Sequence, residues 1–393
     1  MASAQKRFMT VPPIHGHEAL RDLLAGAHRR GALPSTLLLH GPPGVGKQRL
    51  GHWIGQRVLC STPDEREPCG ECRSCRLHLR LEHPDFHWYL PLPRLKVSGS
   101  PERLDQALEE ARWTRLEELR NYPLQPVSHG ETRGLHVGTV RNLRRRAHQR
   151  PSSGDHQVFL VGEAELLAAQ EGGGEAANAL LKVLEEPPSG TWFLLTSNEP
   201  GRVLPTIRSR SVQLHVPGLP ASQVATFLSE TAGVVEEEAR KAATLAQGSI
   251  GRALGFVLDP NEDTAPLDEL RRQAFRLVRA ALEPDSKQRF ALSLSYPVSG
   301  GRGMGELLAA VEVWLRDVAA VTSGAGERVM NVDARSALEE LALRSSATPA
   351  WALAGLQAVQ EARRMAMGNA NPQLVVHGLL RGLEGPKRRK EHL

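Results

Sequence analysis

The run Gly41-Pro42-Pro43-Gly44-Val45-Gly46-Lys47 has the residue types and spacing that hold phosphate. Its glycines let consecutive backbone N–H groups face one anion, and a helix beginning at Lys47 would add the positive end of its dipole. The ammonium of Lys47 would neutralise phosphate charge. The next residue is Gln48. A hydrolytic site needs Ser or Thr there, because that hydroxyl binds the Mg²⁺ bridging the phosphates. The candidate nucleotide-binding residues are therefore Gly41, Gly44, Val45, Gly46, Lys47 and Gln48, with one metal ligand missing. Residues 157–163, QVFLVGE, show a second loss. A buried strand in that place would end in an Asp that holds the metal's water shell, followed by a Glu that orients the attacking water. Gly162 stands where the Asp should be, and only Glu163 remains. Two metal contacts are absent together. The loop could hold ATP or ADP, but efficient turnover of Mg·ATP is not expected.

A second constellation is C-x8-C-x2-C-x2-C: Cys60, Cys69, Cys72 and Cys75, which are all four cysteines of the chain. Four thiolates complete a tetrahedral Zn²⁺ site with no open position for water, so the ion's role would be structural. A reducing compartment disfavours disulfides, and free thiols are the remaining alternative. His78 and His83 lie nearby but are read as non-ligands, since four thiolates suffice. A third is the turn Arg208-Ser209-Arg210-Ser211. An arginine at a sheet edge can stabilise phosphate charge on a neighbouring subunit. Taken alone, this turn reads as an exposed basic loop.

The elements that must position these groups follow from hydrophobic periodicity. Residues 35–40 form a short apolar run that feeds the loop, and the helix after Lys47 carries Leu50, Ile54 and Val58 at spacing four. Further strands are expected at residues 85–90, 157–161, 192–196 and 212–216. Helices are expected at 102–119, 137–149 and 175–186, the last with Ala177, Leu180, Leu181 and Leu184 on one side and Pro187-Pro188 as its stop. Apolar strands alternating with helices imply a parallel sheet covered on both faces. After Pro217 the pattern is helical only, with short helices at 222–231, 236–245 and 250–258, a polar break at 259–263, and longer amphipathic helices from Leu267 to about Leu383. The basic run Lys387-Arg388-Arg389-Lys390 closes the chain.

The 393 residues allow two or three domains. A net charge of +5 and a pI near 9.2 are weak evidence for a polyanionic partner. Arg141, Arg144, Arg145 and His148 share one face of the 137–149 helix and could contact phosphates, although a solvated face explains them as well. The longest apolar runs are too short to span a bilayer, and the first ten residues lack a signal-peptide core, so a cytoplasmic protein is expected, with no membrane partner.

In this order the pieces resemble the AAA+ clamp-loader subunits of bacterial DNA polymerase III. The likeness rests on GPPGVGK, the cysteine module after the first helix, His83-Pro84-Asp85, AANALLKVLEEPP at 176–188, a strand ending LLTSNEP, and the Arg208 turn. The resemblance implies an α/β AAA+ P-loop domain with a parallel sheet (1–217, carrying the four-cysteine zinc module at 60–75 and a longer insertion at 91–134), a small helical lid (218–260), an all-α collar (261–385) and a basic tail (386–393). The family has an ATP-hydrolysing motor branch, gamma/tau, and a silent stator branch, delta-prime, which offers an arginine finger to the adjacent motor. Gln48, Gly162 and Gly251, the last where the motor has its sensor-2 arginine, favour the stator branch. The resemblance assigns the finger to Arg210 and sensor 1 to Ser197 or Asn198. It implies a hetero-pentamer with motor and delta subunits that loads a sliding clamp on primed DNA. It says nothing of residues 91–134, which are expected to be a surface insertion without a function. A gamma/tau-like motor and an unrelated AAA+ ATPase are the alternatives.

Overall fold

The computed structural model describes residues 10–95, 100–124, 133–167, 174–257, 265–283, 285–298, 303–345, 347–367 and 370–384. The expected polar break at 259–263 and the basic run at 387–390 lie outside these residues. The chain divides near residue 260 into two compact units.

The first unit is built on a parallel sheet of five strands: β1 (Thr36–His40), β2 (Phe86–Tyr89), β3 (Gln157–Val161), β4 (Thr191–Ser197) and β5 (Val212–His215). Their spatial order is β2-β3-β4-β1-β5. β1 lies between β4 and β5, with His40 opposite both Ser197 and His215. The phosphate-type loop therefore leaves the carboxyl end of an inner strand at a switch in strand order, the usual place for ligands in open α/β sheets. Along β1 successive side chains go to opposite faces. Leu38 joins Phe159, Val161, Phe193 and Leu195 in one core. Leu37 and Leu39 join Leu50, Ile54, Val58, Leu160 and Leu194 in the other. Both faces are covered, which explains the continuous apolar runs. β5 departs from this pattern: it is an edge strand, and Val212 is 53% exposed.

The helix Lys47–Leu59 is buried for most of its length between the sheet and the helix Glu18–Arg29. The described part of residues 91–134 reaches into the domain. Their helix Pro101–Asn121 buries Leu108, Arg112 and Leu116 and packs on the helix Val137–Ala147. Arg112 donates to Trp88 O of edge strand β2 at 3.1 Å and lies over the Tyr89 ring. The helices Ala221–Glu230, Glu236–Leu245 and Ile250–Gly255 share a small core of Val224, Phe227, Leu228, Ala242 and Ala253.

The second unit is all helical, with Pro266–Leu282, Ser286–Leu294, Met304–Thr322, Arg335–Arg344, Pro349–Met367 and Pro372–Leu383. Leu277, Leu308, Val311, Leu315, Val376 and Leu379 form its core, and Trp314 Nε1 donates to Arg271 O at 2.9 Å. Among the described residues no helix is long and apolar enough to cross a membrane.

Candidate functional site

The loop that follows β1 is closely packed. Gly41 has φ 155°, and a Cβ there would lie 2.2 Å from Val216 O, so only glycine fits. The loop is tied on every side. Gly41 N–H donates to Ser197 O at 3.3 Å, and Gly251 N–H donates to Gly44 O at 3.0 Å. His17 Nε2 donates to Val45 O at 2.8 Å. Lys47 is buried and donates to Gly41 O at 2.8 Å and Pro42 O at 2.6 Å. Burial lowers its pKa to about 8, against the opposing pull of Glu165 and Glu163.

Gln48 and Gly162, separate departures in the sequence, meet in space. A Cβ on Gly162 would sit 2.9 Å from Gln48 Nε2 and 3.3 Å from its Cδ. The Gln48 amide packs against the backbone where an Asp side chain would begin. An uncharged amide thus stands beside position 162, where a hydroxyl at 48 and a carboxylate at 162 would face each other. Positions 48 and 162 offer a metal ion an uncharged amide and bare backbone in place of a hydroxyl and a carboxylate, a poor donor set for Mg²⁺. Glu163 follows in the left-handed region at φ 52°, its N–H bonded to Thr196 Oγ1 at 3.1 Å. Of the two sensor-1 candidates, Ser197 is fully buried, its Oγ accepting from Glu199 N–H at 3.1 Å. Asn198 is partly exposed and donates its backbone N–H to Glu165 Oε1 at 2.9 Å.

Cys60, Cys69, Cys72 and Cys75 come together with their sulfur atoms all within 4.8 Å of one another. Cys60 Sγ is 3.5 Å from Cys69 Sγ and 4.0 Å from Cys72 Sγ, and Cys69 Sγ is 3.9 Å from Cys75 Sγ. A tetrahedron with metal–sulfur bonds of about 2.3 Å has edges of ~3.8 Å, so the set fits a closed four-thiolate site. These separations are far longer than the ~2.05 Å of a disulfide. Backbone N–H groups of Cys69, Cys72 and Cys75 point at the sulfurs of Cys60, Cys69 and Cys72, as thiolate ligands need. At Cys72 burial opposes ionisation, but hydrogen bonds from Ser61 and Cys75 outweigh it and bring the thiol down to about 6. His78 and His83 are engaged elsewhere: His78 Nε2 with His52 O at 2.8 Å, His83 Nε2 with Ser74 Oγ at 2.7 Å.

Two residues that no motif flagged hold this module in place. Arg57, 2% exposed, donates to Asp64 O at 3.0 Å, Glu67 O at 3.2 Å and Glu65 O at 3.3 Å. Glu67 accepts from Trp53 Nε1 at 2.6 Å and pairs with Arg21. For Arg57 the sequence signal was a charge near the end of an amphipathic helix, and Glu67 lies outside any helix.

Arg210 follows the short helix Pro205–Arg208 and precedes β5. It pairs with Glu185 Oε1 at 2.7 Å and donates to Thr206 O at 3.1 Å. On the basic helix, Arg144, Arg145 and His148 are exposed, whereas Arg141 and Arg146 pair with Asp105 and Glu109 of the insertion at 3.2 and 3.1 Å. The insertion therefore neutralises part of the face that the spacing alone presents as free.

The chain is 31% identical to the DNA polymerase III subunit delta' of Escherichia coli K12 over 241 residues, 61% of this chain and 59% of that protein. It is 35% identical to the delta' subunit of Pseudomonas aeruginosa over 188 residues, 47% of this chain and 44% of that protein. A more remote likeness, 29% over 229 residues, links it to the gamma/tau subunit of Mycobacterium bovis, covering 58% of this chain and 32% of that one. The chain thus spans about half the length of the delta' relatives it matches. The profile of the family described as DNA polymerase III, delta subunit matches residues 16–220, more than half of the chain, and the protein belongs to that family.

Proposed function

We propose that this chain is a delta-prime-type stator of a clamp loader, which turns over no ATP of its own and presents Arg210 to nucleotide on a neighbouring motor subunit. The observation that carries this reading is the contact between the Gln48 amide and Gly162. It explains two lost metal contacts as one packing arrangement, and puts uncharged atoms where groups that neutralise and place Mg²⁺ would be needed. The loop retains the amides and Lys47 that would hold ATP or ADP phosphates without hydrolysis. Its close ties to Ser197, Gly251 and His17 also give it a purely architectural use.

On this reading the organisation is a P-loop domain at 1–217, a lid at 218–260 and a collar at 261–385. Its partners are gamma/tau-type motors, a delta subunit, a sliding clamp and, through the assembly, primed DNA. Cys60, Cys69, Cys72 and Cys75 hold zinc, which would cross-link a loop that has little core of its own. An arginine finger stabilises charge as it develops in phosphoryl transfer. Replacing Arg210 with Ala is therefore expected to slow ATP turnover of the reconstituted loader while leaving this chain's fold intact. Unchanged turnover would sink the role.

A further inference from the structure

We infer that Glu185 is the residue that positions Arg210 for the neighbouring nucleotide; this rests on the finger reading given above. The two side chains meet at 2.7 Å although both are accessible, Arg210 36% and Glu185 48% exposed. Burial does not force them together. Glu185 is the last residue of the helix Gly174–Glu185, where unpaired carbonyls concentrate negative charge and a carboxylate is disfavoured. Pro187-Pro188 fixes that helix end. A carboxylate held at this place gains most from a cation facing it, and Arg210 is that cation.

The pairing limits the conformations of a long side chain. Glu185 takes Nη2 and Thr206 O takes Nη1, so the guanidinium is held by both its terminal nitrogens. A guanidinium has five N–H donors in a rigid fork, and the remaining ones stay available for phosphate oxygens. Unrestrained, an arginine carries considerable rotamer entropy, part of which would be lost as the finger engages its target. Glu185 removes some of that freedom beforehand. Because an exposed pair is weak, Glu185 can yield its contact to a phosphate without trapping the arginine.

The test uses a clamp loader reconstituted from full-length chains, with this subunit as wild type, Arg210→Ala, Glu185→Gln or both. The readout is ATP turnover with clamp and primed DNA present. Glu185→Gln is expected to lower kcat by about threefold with KM for ATP unchanged, because positioning acts on the transition state. In the Arg210→Ala background the same change is expected to have no effect, and the melting temperature of the isolated subunit stays within a degree or so of wild type. Wild-type kcat for Glu185→Gln, alongside a slowed Arg210→Ala, overturns the positioning role and leaves the finger intact. An equal loss from Glu185→Gln with and without Arg210 also overturns it, by showing that Glu185 supports the fold. Wild-type turnover for Arg210→Ala removes the finger reading itself, and with it this inference.

Discussion

The helix Lys47–Leu59 has a candidate site at each end, and the two ends contrast. At its start lies a phosphate-type loop whose metal ligands have been replaced. At its finish Cys60 opens a group of four cysteines, all of them close enough together to hold one metal ion. The loop keeps its shape because the fold uses it: residues 41–47 join β1, β4 and the helix Ile250–Gly255 through backbone hydrogen bonds, and Lys47 satisfies carbonyls of its own loop. None of those bonds involves the side chains that would hold Mg²⁺. Gln48 and Gly162 could change without loosening the frame. At the other end the four thiols, with the polar ties of Arg57 and Glu67, are the frame. Residues 60–75 have few apolar contacts, so loss of one thiolate costs the module its organising centre. Chemistry is thus dispensable where packing holds the backbone, and indispensable where it does not.

The contrast would be broken most visibly at the cysteines. Cys75→Ser is expected to abolish one equivalent of bound zinc by elemental analysis and to cost on the order of 3 kcal/mol or more, read as a fall in melting temperature. A variant of wild-type stability with no metal would show that the module does not depend on its ion. Arg57→Ala comes next. Three carbonyls lose a buried charged donor, and a loss of about 2–3 kcal/mol in denaturant unfolding is expected, along with weaker zinc retention under chelator. At the loop end, Gly162→Asp alone is expected to cost about 1–2 kcal/mol, mainly because a carboxylate enters a buried place, while the Gln48 amide that the new Cβ would meet at 2.9 Å can turn aside. Combined with Gln48→Thr it should cost less than the sum of the single changes, a coupling that a double-mutant cycle measures. Additive costs would mean that the two positions are energetically independent.

The smallest effect concerns Lys47. Its folded pKa, about 8, lies below its ordinary 10.5. Between those values the unfolded chain binds more protons than the folded one, so this group's penalty is full below pH 8 and relieved as pH rises. From pH 8 to 9 it adds about 1 kcal/mol of stability, an increment that Lys47→Met should remove from the pH profile.

Much of this was legible in the residues. The apolar runs located the five strands of the parallel sheet, four of them because strands covered on both faces need unbroken hydrophobic segments. The spacing of the four cysteines pointed to a cluster, because each C-x2-C pair can chelate one ion. The exposed edge strand β5 was not evident, since Val212 looks like any core valine until its neighbours are known. Arg57, Arg112 and Glu67 were also missed, since a buried charge paired through tertiary contacts leaves no periodic mark. Gln48 and Gly162 could be read singly as losses. Their contact required the fold, because more than a hundred residues separate them. The pairing of Arg141 with Asp105 on the basic helix likewise appears only in three dimensions.

The most direct measurement is Mg²⁺-dependent ATP turnover by the purified chain alone, with Lys47→Ala as control. The account predicts no turnover above the control at any Mg²⁺ concentration, because the Gln48 amide stands against Gly162 where metal ligands would be needed. Turnover present in the wild type and lost in Lys47→Ala would contradict it, since the metal would then be held by other groups and the chain would be a motor.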